Sequence, residues 1–118
     1  MYVDGFVLPL PKKKLGAYKK MATVAAKVWL DHGALRYVEA VGEDMTPGFG
    51  LPFPKLTKSK AGETVVFAFI TYKSRAHRDA VNKKVMADKR LEASCDAKDM
   101  PFDLKRMAWG GFDVIVER

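Results

Sequence analysis

A single cysteine, Cys95, rules out an internal disulfide. The fold must therefore hold by burial and hydrogen bonding rather than by cross-links. A lone thiol also favours a reducing compartment. Asp96 beside it disfavours the thiolate, the form a nucleophile needs. Long apolar runs are missing as well. The longest covers Val65 to Ile70, far short of the ~20 residues a membrane-crossing helix requires. A secretion signal is not expected, because Asp4 interrupts the first apolar stretch and Lys12, Lys13 and Lys14 follow it instead of preceding it. These absences point to a cytoplasmic protein with no membrane contact. The two histidines, His32 and His77, lie far apart, and no Cys-x-x-Cys or His-Glu-x-x-His spacing occurs, so no metal site is expected. Nucleophile elbow, phosphate-cradling glycine loop and dinucleotide fingerprint are all lacking. A haem would need an axial ligand, and neither histidine is well suited. No cofactor is expected.

What the chain does have is positive charge. It carries 21 Lys and Arg against 14 Asp and Glu, a net +7 in 118 residues. Residues 11–32 hold six lysines against Asp31, a net +5, and residues 74–90 hold six basic residues against Asp79 and Asp88, a net +4. The rest of the chain is slightly acidic. Both basic segments read as helices, so the charge lies on helix surfaces, where it suits solubility better than a nucleic-acid footprint.

The length fits one domain, residues 1–118. Residues 2–8 are rich in Val, Phe and Tyr and read as a strand stopped by Pro9 and Pro11. Leu15, Tyr18, Ala22, Ala25 and Trp29 then recur at helical spacing, with Met21 and Val28 beside them, until Gly33. Residues 35–43 form a second strand. A stretch rich in Pro and Gly, 45–62, is too long for a hairpin turn and is either a lid or a surface loop. Residues 63–72 form a third strand. Ser74 caps a second helix running to about Arg90, with Ala76, Ala80, Val81, Val85 and Met86 inward. A fourth strand covers 105–116, with Gly110 and Gly111 marking a bulge or a close backbone approach. The order β-α-β-β-α-β, with right-handed crossovers, predicts a ferredoxin-like α+β plait. Its four-stranded antiparallel sheet carries both helices on one face.

That prediction leaves a face bare. In Val65-Val66-Phe67-Ala68-Phe69-Ile70 both parities are apolar, so both faces of the third strand should be dry. Phe67 and Phe69 on the uncovered side would each forgo ~1.5–3 kcal/mol. A second copy of the sheet is the economical cover, and a homodimer is expected. The runner-up cover is RNA, since Phe67 to Tyr72 follow the aromatic spacing of RNA-recognition strands. Val65 and Val66 stand where that pattern wants a basic residue and a glycine, so nucleic acid is disfavoured.

Asp4 and Glu39 lie inside apolar strands. Each is either a general base or ligand-orienting group, or half of an ion pair, with Arg36 or Arg106 as partners for Asp4. His77, in the first turn of the second helix, could line a pocket, and His32 suits a helix C-terminus. Asp103 and Arg106, with Lys105, could bind an anion or could simply pair with each other at the start of the fourth strand. Tyr37 and Trp109, like Phe67 and Phe69, could wall an apolar pocket or pack. Catalytic candidates are therefore Asp4, Glu39 and His77. Ligand-binding candidates are Asp4, Arg36, Tyr37, Glu39, Asp103, Arg106 and Trp109. The expected function is to bind or transform a small, partly apolar molecule. The alternative is a non-catalytic sensor or interaction module that uses the basic helix face.

Several segments together resemble the YbaA-like bacterial family of uncharacterised proteins. They are Tyr2-Val3-Asp4-Gly5-Phe6-Val7, Gly33-Ala34-Leu35-Arg36 with Val38-Glu39, Arg78-Asp79-Ala80, Met100-Pro101-Phe102-Asp103, and Lys105-Arg106-Met107 with Gly110-Gly111-Phe112. The resemblance implies the dimeric α/β-barrel superfamily, in which two plaits pack sheet against sheet and enclose a cavity between sheet and helices. That superfamily includes cofactor-free monooxygenases, haem enzymes and small-molecule sensors, so no single reaction follows.

Overall fold

The computed structural model describes residues 1–94 and 100–118. Cys95 and Asp96 lie outside them. Strands β1 (Tyr2–Pro11), β2 (Arg36–Val41), β3 (Glu63–Tyr72) and β4 (Ala108–Asp113) form one antiparallel sheet in the order β2-β3-β1-β4. Helices α1 (Leu15–Asp31) and α3 (Arg75–Met86) connect them in the predicted plait. Two short helices, α2 (Phe53–Leu56) and α4 (Lys89–Ser94), are additional.

Register divides the side chains. Tyr2, Asp4, Phe6, Leu8 and Leu10 of β1 share one face with Val66, Ala68, Ile70 and Tyr72 of β3 and with Tyr37, Glu39 and Val41 of β2. The helices pack there, in two apolar clusters. One joins Val28 of α1 and Val81 and Val85 of α3 to Ile70 and Tyr72. The other joins Tyr18 and Ala22 of α1 to Leu8, Leu10 and Val66. The stripe on α1 thus faces the sheet as its spacing predicts. Gly33 ends that helix with φ at +110°, a conformation that a side chain would strain.

Four sequence expectations shift. β1 runs on through Pro9 to Pro11, because pairing with β4 ends at Val7–Ala108 and leaves that side of the strand open. The second helix stops at Met86, and Asp88 starts a new one by accepting the Arg90 N–H at 2.8 Å. Within α3, Val81 and Val85 are buried, whereas Ala76, Ala80 and Met86 are exposed. The fourth strand is shorter than 105–116, since a 3-10 turn over Leu104–Arg106 precedes it, capped by the Asp103 side chain.

The opposite face of the sheet carries Val3, Val7, Phe67, Phe69 and Phe112, and among the described residues neither α1 nor α3 packs on it. Phe67 is 45% and Phe112 is 60% exposed. Phe53 of α2 reaches the rim and sets its ring edge-on to Phe67, 6.4 Å between centroids.

Candidate functional site

Glu39 occupies the middle of β2 on the helix-covered face. A carboxylate there needs partners, and both come from tyrosines. The Tyr18 hydroxyl of α1 donates to Oε1 at 2.6 Å, and the Tyr37 hydroxyl, two residues back along β2, donates to Oε2 at 2.8 Å. Burial, reinforced by the hydrogen bond to Glu39, pushes the Tyr18 hydroxyl pKa up, so that proton stays in place. Among the described residues no Lys or Arg forms an ion pair with Glu39.

This group stands between two cavities. A narrow one of about 200 Å³ runs under α1 against Phe6, Trp29, Ile70, Phe102 and Met107. A wider groove of about 470 Å³ lies between α1 and the β2 edge, beside Leu15, Lys19 and Val41. Tyr18, Ala22, Tyr37 and Glu39 line both. Aromatic contacts stiffen the wall: Tyr18 meets Phe102 edge-on at 5.7 Å and Trp29 tilts against Tyr37 at 5.9 Å. The Trp29 indole N–H donates to Asn82 Oδ1 at 3.1 Å. The arrangement is an apolar chamber with one hydrogen-bonded carboxylate, the usual composition of a small-molecule site.

The remaining expected residues separate. Asp4 shares the sheet face with Glu39 but is sealed, 2% exposed, and lines neither cavity. Its partner is not Arg36 or Arg106 but Arg78 of α3, whose Nη1 donates at 3.1 Å. Arg78 also donates to the Tyr2 hydroxyl at 3.3 Å and lies 5.1 Å above that ring. Its Nε is 2.9 Å from Asp79, within ion-pair range but without hydrogen-bond alignment. Burial raises the Asp4 pKa and Arg78 pulls against it. Arg36 projects to the bare face of the sheet, away from Tyr37 and Glu39. Asp103 and Arg106 assemble at the Pro11 end of the sheet, where Arg106 grips Glu63 through two bonds of 2.7 and 2.8 Å and Asp103 through one of 3.0 Å. His77 accepts the Lys73 N–H on Nδ1 while its own N–H bonds the Ser74 hydroxyl, so it serves the start of α3. His32 closes α1 and bonds Asp88 at 2.8 Å. Trp109 stacks on Phe6 at 6.0 Å and is 60% exposed, outside the narrow cavity.

Tyr18 and Arg78 are the residues that sequence reasoning placed without a polar role. A tyrosine on a helix stripe reads as core, and only its hydroxyl, which must find a partner when buried, hinted at more.

Residues 1–104 match the family described as Protein of unknown function (DUF1428). The chain belongs to that family. It is 43% identical over 116 residues to the uncharacterized protein YbaA of Escherichia coli K12, covering 98% of this chain and 97% of that one. The YbaA of Shigella flexneri matches equally. Among solved structures, an uncharacterized NIPSNAP domain protein from Burkholderia xenovorans aligns at a TM-score of 0.56 and 14% identity, over 97% of this chain and 94% of that one. Protein Atu4242 from Agrobacterium tumefaciens aligns at 0.60 and 14%, over 96% and 92%. These DUF1428 relatives and fold neighbours bear out the YbaA-like resemblance and the plait. At such identity the solved structures speak for the fold alone. No helix among the described residues is long and apolar enough to cross a membrane.

Proposed function

We propose that the protein binds a small, partly apolar molecule in the cavity between α1 and the sheet, with Glu39 as its polar anchor. The supporting observation is the carboxylate itself: it is held by two tyrosine hydroxyls in an otherwise apolar chamber and neutralised by no described cation. A purely structural carboxylate in such surroundings would more economically pair with a base. Binding is the role this site supports. If turnover accompanies it, Glu39 is the group positioned to accept a proton.

The second part of the proposal is that the protein works as a homodimer through the bare sheet face. Phe67 and Phe112 on that face support it, because burying an exposed phenylalanine is worth ~1.5–3 kcal/mol and the described elements of one copy leave both exposed, with only Phe53 at the rim.

A thermal-shift screen of metabolites tests the binding site. A stabilising compound should lose its effect in Glu39→Gln and in Ala22→Leu, which fills the wall shared by the two cavities. A compound that stabilises both variants as well as the parent chain would place binding elsewhere and refute the assignment.

A further inference from the structure

We infer that the ligand of this cavity is a cation, a small organic amine bound in its ammonium form with an aromatic or aliphatic body of about one ring. The inference rests on the cavity being a binding site, and it concerns the sign and hydrogen-bonding character of what enters.

The proton inventory of the polar wall carries it. A phenol has one proton to donate. Tyr18 gives its proton to Glu39 Oε1 and Tyr37 gives its proton to Oε2. Trp29, whose indole N–H is the remaining donor among the described side chains on the narrow cavity, gives it to Asn82. Among the described residues, a ligand entering the narrow cavity thus meets carboxylate oxygens and no side-chain proton to spare. An incoming carboxylate or phosphate would find, on the described side chains, only acceptors and a like charge. An incoming ammonium finds a carboxylate with lone pairs left over, since each oxygen accepts only one tyrosine hydroxyl and can accept again.

The walls agree with the charge. Tyr18, Trp29, Tyr37, Phe6 and Phe102 surround the same space. Aromatic faces attract an ammonium group through the ring quadrupole, most strongly where water is excluded. Size sets the body of the ligand. The cavity holds about 200 Å³, and a dry cavity of about 150 Å³ accommodates a benzene ring. One ring and a short aminomethyl arm fill it.

The test uses the unaltered chain and three probes of nearly one shape: benzylamine, benzyl alcohol and benzoate, titrated calorimetrically at neutral pH. Benzylamine should bind about tenfold or more tighter than benzyl alcohol, the difference a charge-assisted hydrogen bond makes. Benzoate should not bind detectably. In Glu39→Gln the amine should lose at least that tenfold advantage while benzyl alcohol keeps its affinity. Alcohol binding as tight as amine binding, or any measurable benzoate binding in the cavity, overturns the cation and leaves the binding site standing. If none of the three binds, the site and the cation fall together. The probe comparison decides the matter even where Glu39→Gln folds poorly, because it needs no variant.

Discussion

Replacing Arg78 by Met should destabilise the protein severely, and replacing Asp4 by Asn at the same time should restore most of the loss. Both side chains are taken out of water, with 13% of Arg78 and 3% of Asp4 accessible, and Nη1 lies 3.1 Å from Oδ1. Removing one partner of such a pair leaves an uncompensated buried charge and costs about 3–5 kcal/mol, whereas replacing both is often close to neutral. For a domain of this size each kcal/mol moves the melting temperature by roughly 4 °C, so Arg78→Met should melt about 12–20 °C lower. The pH dependence follows from linkage. Burial already holds the native Asp4 pKa above its ordinary value, and Arg78 restrains that rise. Without Arg78 the native pKa moves further above the unfolded one. A group with a raised native pKa contributes its full stability below the unfolded pKa and loses it as pH climbs through the native one. The deficit of Arg78→Met relative to the parent is therefore largest near neutrality and narrows on acidification. Urea unfolding followed by circular dichroism, repeated from neutral pH down to the aspartate range, measures all of this. A deficit below about 1 kcal/mol would be that of an ordinary surface change and would refute the reasoning. A double variant no more stable than Arg78→Met would refute it equally.

Other consequences can be checked in the same way. Arg106 holds the Glu63 carboxyl at a pKa of about 2, so this group stabilises the native state above its ordinary pKa and ceases to as pH falls through the native value. Arg106→Met should remove that acid-dependent loss, seen as a flatter plot of urea midpoint against pH below the ordinary glutamate range. Phe67→Asp with Phe112→Asp should convert a dimer to a monomer in sedimentation velocity while the far-ultraviolet circular dichroism stays native; a parent chain already monomeric at micromolar concentration would contradict the homodimer. A methyl group on Gly111 would overlap the Tyr2 ring, whereas one on Gly110 would only touch Phe112 at 3.8 Å. Gly111→Ala should therefore push Tyr2 off Arg78 and lower stability by about 1 kcal/mol or more in calorimetry, with Gly110→Ala less affected.

The plait was legible because periodicity reports faces. Tyr18, Ala22, Ala25 and Val28 repeat at helical spacing and are buried on α1. The apolar run of β3, with no polar parity, put apolar side chains on both faces of the sheet, and Phe67 and Phe69 lie on the face opposite the helices as that pattern requires. The site was legible only in part. Glu39 and Tyr37 are two residues apart on one strand, so their shared face follows from the pleat, and the structure places both at the cavity. Asp4 looked equivalent to Glu39, being an acid within an apolar strand. Nothing in the local pattern separated the acid sealed by an arginine from the acid held at a cavity wall.

Amino-acid order alone determined the succession of the four strands and two long helices, the inward stripe of α1 and the surplus of apolar sheet, since all three depend on spacing within a segment. The pairing of polar groups was decided only in three dimensions. Tyr18 meets Glu39 across 21 residues and Arg78 meets Asp4 across 74. Such contacts depend on the rotational setting of a helix over a particular strand, and that setting is chosen by the packing of the whole core rather than by any stretch of chain.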